Sequence, residues 1–141
     1  MSTYVDTSFL VSLYLTDSHT PDAELRMASN PLVWLTALHI AEWTHAIEQH
    51  VFRGALSRQE ADHYHQRFQQ HRVSGLWIEV PMPDSAWDVC ARLARRHAAR
   101  LGPRTLDTLH VAVALELKAQ RFWTFDERQR KLARAAGLKT T

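Results

Sequence analysis

The apolar positions of this chain change period several times, and each change marks an element. Tyr4-Val5 and Phe122-Trp123-Thr124-Phe125 are runs of β-branched and aromatic residues, each followed by apolar positions at helical spacing. Strands are expected over 3–6 and 121–125, with two more over 32–34 and 76–80, where short apolar runs follow Asn30-Pro31 and Gly75. Helices fill the intervals. One runs from Thr7 or Ser8 to about Leu15, a short one covers 21–27, and a long one capped by Thr36 reaches Val51 or Phe52 with Ile40, Trp43, Ile47 and Val51 as its buried stripe. Ser57-Arg58-Gln59-Glu60 has capping-box spacing and opens a polar helix that Gly75 closes. Asp84 or Ser85 caps a helix to about His97, with Trp87, Ala91, Ala94, Ala98 and Leu101 near one face. Residues 106–117 are apolar except Asp107, His110 and Glu116, the mark of a helix covered on most sides. A last helix spans 126–136, with Gly137 as its C-cap. Strands alternating with helices predict an α/β fold, a three-layer α/β/α sandwich with a mainly parallel central sheet, occupying 1–141 as one domain.

Composition narrows the function classes. The 141 residues suffice for one domain and are too few for two ordinary ones. Lys plus Arg exceed Asp plus Glu only by 17 to 15, so the placement of charge, not its total, selects a partner. Cys90 is the single cysteine, which excludes an internal disulfide and a thiolate zinc site and fits a reducing cytoplasm. The first Lys or Arg is Arg26, and the apolar run 9–15 is too short to span a bilayer, so neither a secretory signal nor a membrane partner is expected.

Four carboxylates carry the candidate chemistry. Asp6 and Asp126 end strand-like runs and open helices, Asp107 begins the apolar helix, and Glu42 lies on the long one. In open parallel sheets ligands bind at the carboxyl ends of the strands, where both strand-ending aspartates fall. Carboxylates gathered there repel unless a cation sits among them, and hard divalent ions such as Mg2+ or Mn2+ choose oxygen ligands. Each residue also has a plainer explanation. Asp6 and Asp126 are good N-caps, Asp126 with Gln129 matching a capping box. Glu42 falls nearly opposite the stripe of its helix, which reads as a solvated face. Asp107 is hardest to explain away, because the helix dipole favours it while burial opposes it.

Other signals are weaker. The nine histidines lack a zinc spacing; His63 and His65 diverge on a helix, and His110 reads as a core residue. No Gly-rich phosphate loop, G-x-S-x-G elbow or H-E-x-x-H motif is present. Arg92, Arg96 and Arg100, spaced four apart, lead to Arg104 close to Asp107, a stripe suited to holding phosphates beside a metal or to plain solvation.

Taken in order, VDTSFLVSLYL, TALHIAEWTHAI, LDTLHVAVALEL and FWTFDERQRKLARAAGL resemble a PIN domain, specifically the VapC-like toxin ribonucleases, over nearly the whole chain. The resemblance implies metal-dependent hydrolysis of RNA phosphodiester bonds by a cluster of Asp6, Glu42, Asp107 and Asp126 binding Mg2+ or Mn2+. Thr7, Ser8 and Thr124 take supporting positions. It further implies a cognate antitoxin and a homodimer. The alternative is a non-catalytic interaction domain in which the same carboxylates merely cap helices, and Mn2+ binding separates the two.

Overall fold

The computed structural model describes residues 1–140. Among them four strands, β1 (Ser2–Val5), β2 (Leu32–Leu35), β3 (Ile78–Glu79) and β4 (Arg121–Trp123), form one parallel sheet in the order β3-β2-β1-β4. Parallel neighbours need a crossover, and helices supply it. On one side lie α1 (Thr7–Ser12), α2 (Thr20–Met27), α3 (Ala37–Phe52) and α4 (Arg58–Val73); on the other lie α5 (Ala86–Leu93), α6 (Ala99–Leu101), α7 (Thr105–Glu116) and α8 (Glu127–Ala135).

The two-residue period of the central strands creates two cores. Val5 pairs with Trp123 and Tyr4 with Phe122 across β1 and β4. Val5 and Trp123 join Phe9, Trp43, Ile47 and Phe68 in the first core, whereas Tyr4 and Phe122 join Leu109, Val111, Val113 and Leu132 in the second. Tyr4 and Phe122 stack with their rings 5.6 Å apart. The expected three-layer architecture is thus the observed one. The order of strands also creates a crevice: the chain moves outward from β1 through β2 to β3, then returns to β4 on the other side of β1. That reversal opens the sheet between β1 and β4 at their carboxyl ends.

Several element ends differ from expectation for local reasons. The first helix stops at Ser12, not near Leu15, because Thr20 Oγ1 donates to the Ser12 and Leu15 carbonyls at 2.8 and 3.1 Å, and Ser12 Oγ donates to Asp17 at 2.9 Å. β4 ends at Trp123 because Thr124 Oγ1 accepts the Asp126 amide at 3.0 Å and turns the chain. β3 keeps two residues of the expected five, since the Leu76 amide still bonds back to His71 and Pro81 follows shortly. The helix expected to run to His97 is interrupted by a π-helical turn at Ala94–Ala98. Its buried face is Ala86, Val89 and Cys90, so Trp87, expected inside, is 61% exposed. No helix of the described residues is long and apolar enough to cross a membrane.

One buried contact ties α3 to the sheet. Thr36 caps α3, and His39 Nδ1 accepts the Thr36 amide at 3.0 Å while its Nε2–H donates to the Val5 carbonyl at 2.8 Å. Both ring nitrogens are thereby assigned to a neutral imidazole. Burial, with the nearby His110 second, pulls His39 from 6.5 down to about 3. Between those values the unfolded chain holds a proton on this residue that the folded chain does not, so stability falls as pH drops, by about 1.4 kcal/mol per unit. Denaturant titrations across about pH 6 to pH 4 should show this slope reduced in His39→Gln; equal slopes in parent and variant would refute the assignment.

Candidate active site

Asp6 and Asp126 follow β1 and β4 at the carboxyl ends that flank the crevice. Asp6 follows β1 directly and caps α1: its Oδ1 accepts the Phe9 amide at 3.0 Å and its Oδ2 accepts Ser8 Oγ at 2.6 Å. It is 6% exposed. Burial pushes its carboxyl above the usual range, and Ser8, His110, Phe9 and Thr124 offset only part of that push. The hydrogen-bond donors around Asp6 are hydroxyls and an amide, all neutral. Capping and a site role therefore coincide in this residue, and its raised proton affinity marks a place short of positive charge.

Glu42 corrects the reading made from periodicity. Its side chain is only 26% exposed, because α1 lies against α3 and α7 supplies a partner from behind. Its Oε1 accepts Thr7 Oγ1 at 2.8 Å and also the Nε2–H of His110. Burial works to raise this carboxyl, yet the bonds and charge of His110 together with Thr7 outweigh it and hold Glu42 below the ordinary range. The other ring nitrogen of His110 lies 2.7 Å from the Tyr4 hydroxyl, completing a buried row Tyr4–His110–Glu42. Sequence reasoning set His110 aside as a core histidine. It is one, but its ring serves Glu42. The available signal was its position three residues after Asp107 in an otherwise apolar helix, where a buried polar ring requires partners.

Asp107 and Asp126 stand at the starts of α7 and α8. Asp107 Oδ2 accepts the Arg104 amide at 3.1 Å and Arg104 Nε at 3.3 Å, so the charge partner of this half-buried carboxylate is a guanidinium. Asp126 caps α8 by accepting the Gln129 amide at 2.8 Å. The expected capping box is only half formed, since the Gln129 side chain turns away and donates to the Asp107 carbonyl at 3.2 Å. Gln129 is fully buried, and it links the starts of α7 and α8. Thr124 Oγ1 accepts the Asp126 amide, and its hydroxyl helps to lower the Asp6 carboxyl.

Asp6 and Glu42 are thus brought together around Thr7, Ser8 and His110, and Asp107 and Asp126 around Gln129. Among the described residues, no three His, Cys, Asp or Glu side chains converge closely enough to hold a metal ion. In kind the donors fit one: Asp6, Glu42, Asp107 and Asp126 offer carboxylate oxygens, the hard ligands that divalent cations choose, and the hydrogen bonds to Asp6 come from neutral groups. Beside them opens a cleft of about 900 Å³ lined in part by Thr7, Ser8, Glu42, Arg53 and Arg104. Of the expected basic stripe, Arg104 lines this cleft; Arg92, Arg96 and Arg100 are exposed outside it.

Comparison with known proteins agrees with this architecture. The family model described as PIN domain matches residues 3–135. Among solved structures, Mycobacterium tuberculosis VapC20, a sarcin-ricin loop cleaving toxin, superimposes with a TM-score of 0.72 at 21% identity, covering 97% of this chain and 96% of its own. FitAcB from Neisseria gonorrhoeae gives 0.74 at 17% identity, covering 98% and 95%, and VapBC2 from Rickettsia felis bound to a promoter DNA fragment gives 0.67 at 16%, covering 100% and 98%. No curated protein matches the sequence.

Asp6 and Glu42 should respond oppositely to neutralisation. Asp6→Asn removes a charge that has no cationic donor, so in EDTA its melting temperature should equal or exceed the parent's. Glu42→Gln strips His110 of a charge-assisted partner and should cost about 1–3 kcal/mol. Equal destabilisation by both variants would contradict this description of the site.

Proposed function

The chain belongs to the PIN-domain family, and from that premise we propose that it is a divalent-metal-dependent ribonuclease, the toxin of a toxin–antitoxin pair. The observation that carries the proposal is the buried, cation-poor Asp6 beside the clamped Glu42 at the mouth of the β1–β4 crevice. Asp6, Glu42, Asp107 and Asp126 would hold Mg2+ or Mn2+, and such an ion supplies the Lewis acidity that activates water and offsets charge on the scissile phosphate. Hydrolysis of this kind leaves a 5′-phosphate and a 3′-hydroxyl.

The chain's own groups then have defined tasks. Ser8 and the Phe9 amide aim the Asp6 carboxylate, while Thr7 and His110 keep Glu42 ionised and fixed. Thr124 holds Asp6 and the start of α8 in register. The Arg104 side chain is 83% exposed, so its guanidinium is free to exchange Asp107 for a substrate phosphate. Arg92, Arg96 and Arg100, exposed on the helical segment that leads to Arg104, give the RNA backbone an approach. VapC20 is a sarcin-ricin loop cleaving toxin, and FitAB and VapBC2 are complexes bound to DNA. By that likeness a cognate antitoxin, a homodimer and a cytoplasmic setting are proposed for this chain as well.

The deciding experiment is cleavage of single-stranded RNA with and without Mg2+ or Mn2+, with end-group analysis of the products. Cleavage should require the ion, yield 5′-phosphates, and fall to the metal-free background in Asp6→Asn and Asp107→Asn. Asp107→Asn gives up only the exposed Arg104 ion pair, so in EDTA it should lose no more than about 1 kcal/mol of stability. Cleavage that persists in EDTA would overturn the proposal, and a folded parent that neither binds Mn2+ nor cuts would favour a non-catalytic interaction domain.

A further inference from the structure

A stack of rings leads from the core to the wall of the cleft. Phe9, in α1, is fully buried. Phe125, between β4 and Asp126, is half-buried and stacks on Phe9 with centroids 5.3 Å apart and planes 15° apart. His19 stacks on Phe125 in turn, at 4.3 Å and 6°, nearly parallel. His19 is exposed and lines the same cleft as Glu42. Its backbone is held as firmly as its ring, since its amide donates to Asp17 Oδ1 at 2.8 Å and its carbonyl accepts the Ala23 amide at 3.0 Å at the start of α2.

An exposed imidazole ordinarily samples several rotamers. This one is held flat against Phe125, so its second face is presented in a fixed plane at the edge of the cleft. The lining of the same cleft includes two guanidiniums, Arg53 and Arg104, and two carboxylates, Asp17 and Glu42. A flat π-surface beside groups that take phosphate is the chemistry that receives a nucleotide: rings of this type stack unpaired bases, and cationic side chains track the backbone. A duplex would keep its bases from the ring, whereas an unpaired base can lay its face on it.

We infer that His19 is a stacking platform for an unpaired RNA base flanking the scissile phosphate. This rests on the reading of the chain as a ribonuclease. The platform sets which nucleotide position must be unpaired, and it tolerates any base with a π-face.

The test uses a short single-stranded RNA carrying 2-aminopurine at successive positions, bound to the full chain in EDTA. At one position the parent should quench the fluorophore. His19→Phe should retain the quenching, and His19→Ala should lose it and bind about tenfold more weakly, a typical effect of removing one base–aromatic stack. Placing an abasic site at that position should weaken the parent equally and make His19→Ala indistinguishable from it. The inference is overturned if His19→Ala binds and quenches as the parent does, or if it loses the same affinity on the abasic strand, which would make His19 only a cover for Phe125. Cleavage in Mn2+, followed in parallel, separates this inference from the ribonuclease reading. A parent that stacks the base but does not cut loses the reading and keeps the platform, and one that cuts with kcat/KM unchanged in His19→Ala keeps the reading and loses the platform.

Discussion

The structure depends on how negative charge is buried where the sheet opens. The strand order places the ends of β1 and β4 side by side at a reversal of winding, and each strand is followed within three residues by an aspartate that starts a helix. A carboxylate with little exposure is tolerable only if hydrogen bonds replace its water. At Asp6 those bonds come from neutral groups, and the carboxyl is correspondingly reluctant to ionise. At Glu42 a histidine takes part, and the balance tips the other way. Two carboxylates joined through neighbouring residues Thr7 and Ser8 are thus shifted in opposite directions by burial and by what touches them.

The histidines decide that balance, and they do so from two different elements. His39 belongs to the cap of α3 and is bound at both nitrogens by Thr36 and Val5, so it remains neutral and acts as a spacer between α3 and β1. His110 comes from α7 on the opposite side of the sheet and reaches Glu42 past the end of β1. The Glu42 carboxylate is therefore held by both helical layers, by Thr7 from one and His110 from the other. A shift of either layer against the sheet would be felt at this oxygen, which makes the geometry of the site a direct readout of how the three layers pack.

Much of the fold was legible because its signals were local. Tyr4-Val5 and Phe122-Trp123 announce buried parallel strands, Ser57-Glu60 forms both bonds of its capping box, and the unbroken apolar run of α7 matches a helix whose residues Thr108 to Ala114 are all buried. The misreadings share one cause, reliance on a single face or a single offset. Glu42 sits opposite the stripe of Trp43 and Ile47, yet α3 is packed on two sides, so its second face is half-buried as well. Trp87 matched an apolar offset, but smaller residues at Ala86, Val89 and Cys90 let α5 approach α7 closely and leave the large ring outside. The capping box of Asp126 failed to close because Gln129 had a better use at the Asp107 carbonyl, 22 positions away in sequence. Such tertiary competition has no local trace.

Legibility of the site followed the same division. Asp6, Asp107 and Asp126 stand at helix starts, which a sequence can declare, whereas the contacts that give them character come from residues such as His110, Gln129 and Arg104, whose partners only folding assigns. Arg104 makes the point most sharply. It lies three residues before Asp107, and on a helix that offset could mean a solvated ion pair worth little. Here the carboxylate is 18% exposed and the guanidinium 83% exposed, so one partner is committed to the protein while the other remains in water. An ion pair with that asymmetry is easily exchanged on its exposed side, because the cost of freeing a guanidinium that already stands in water is small.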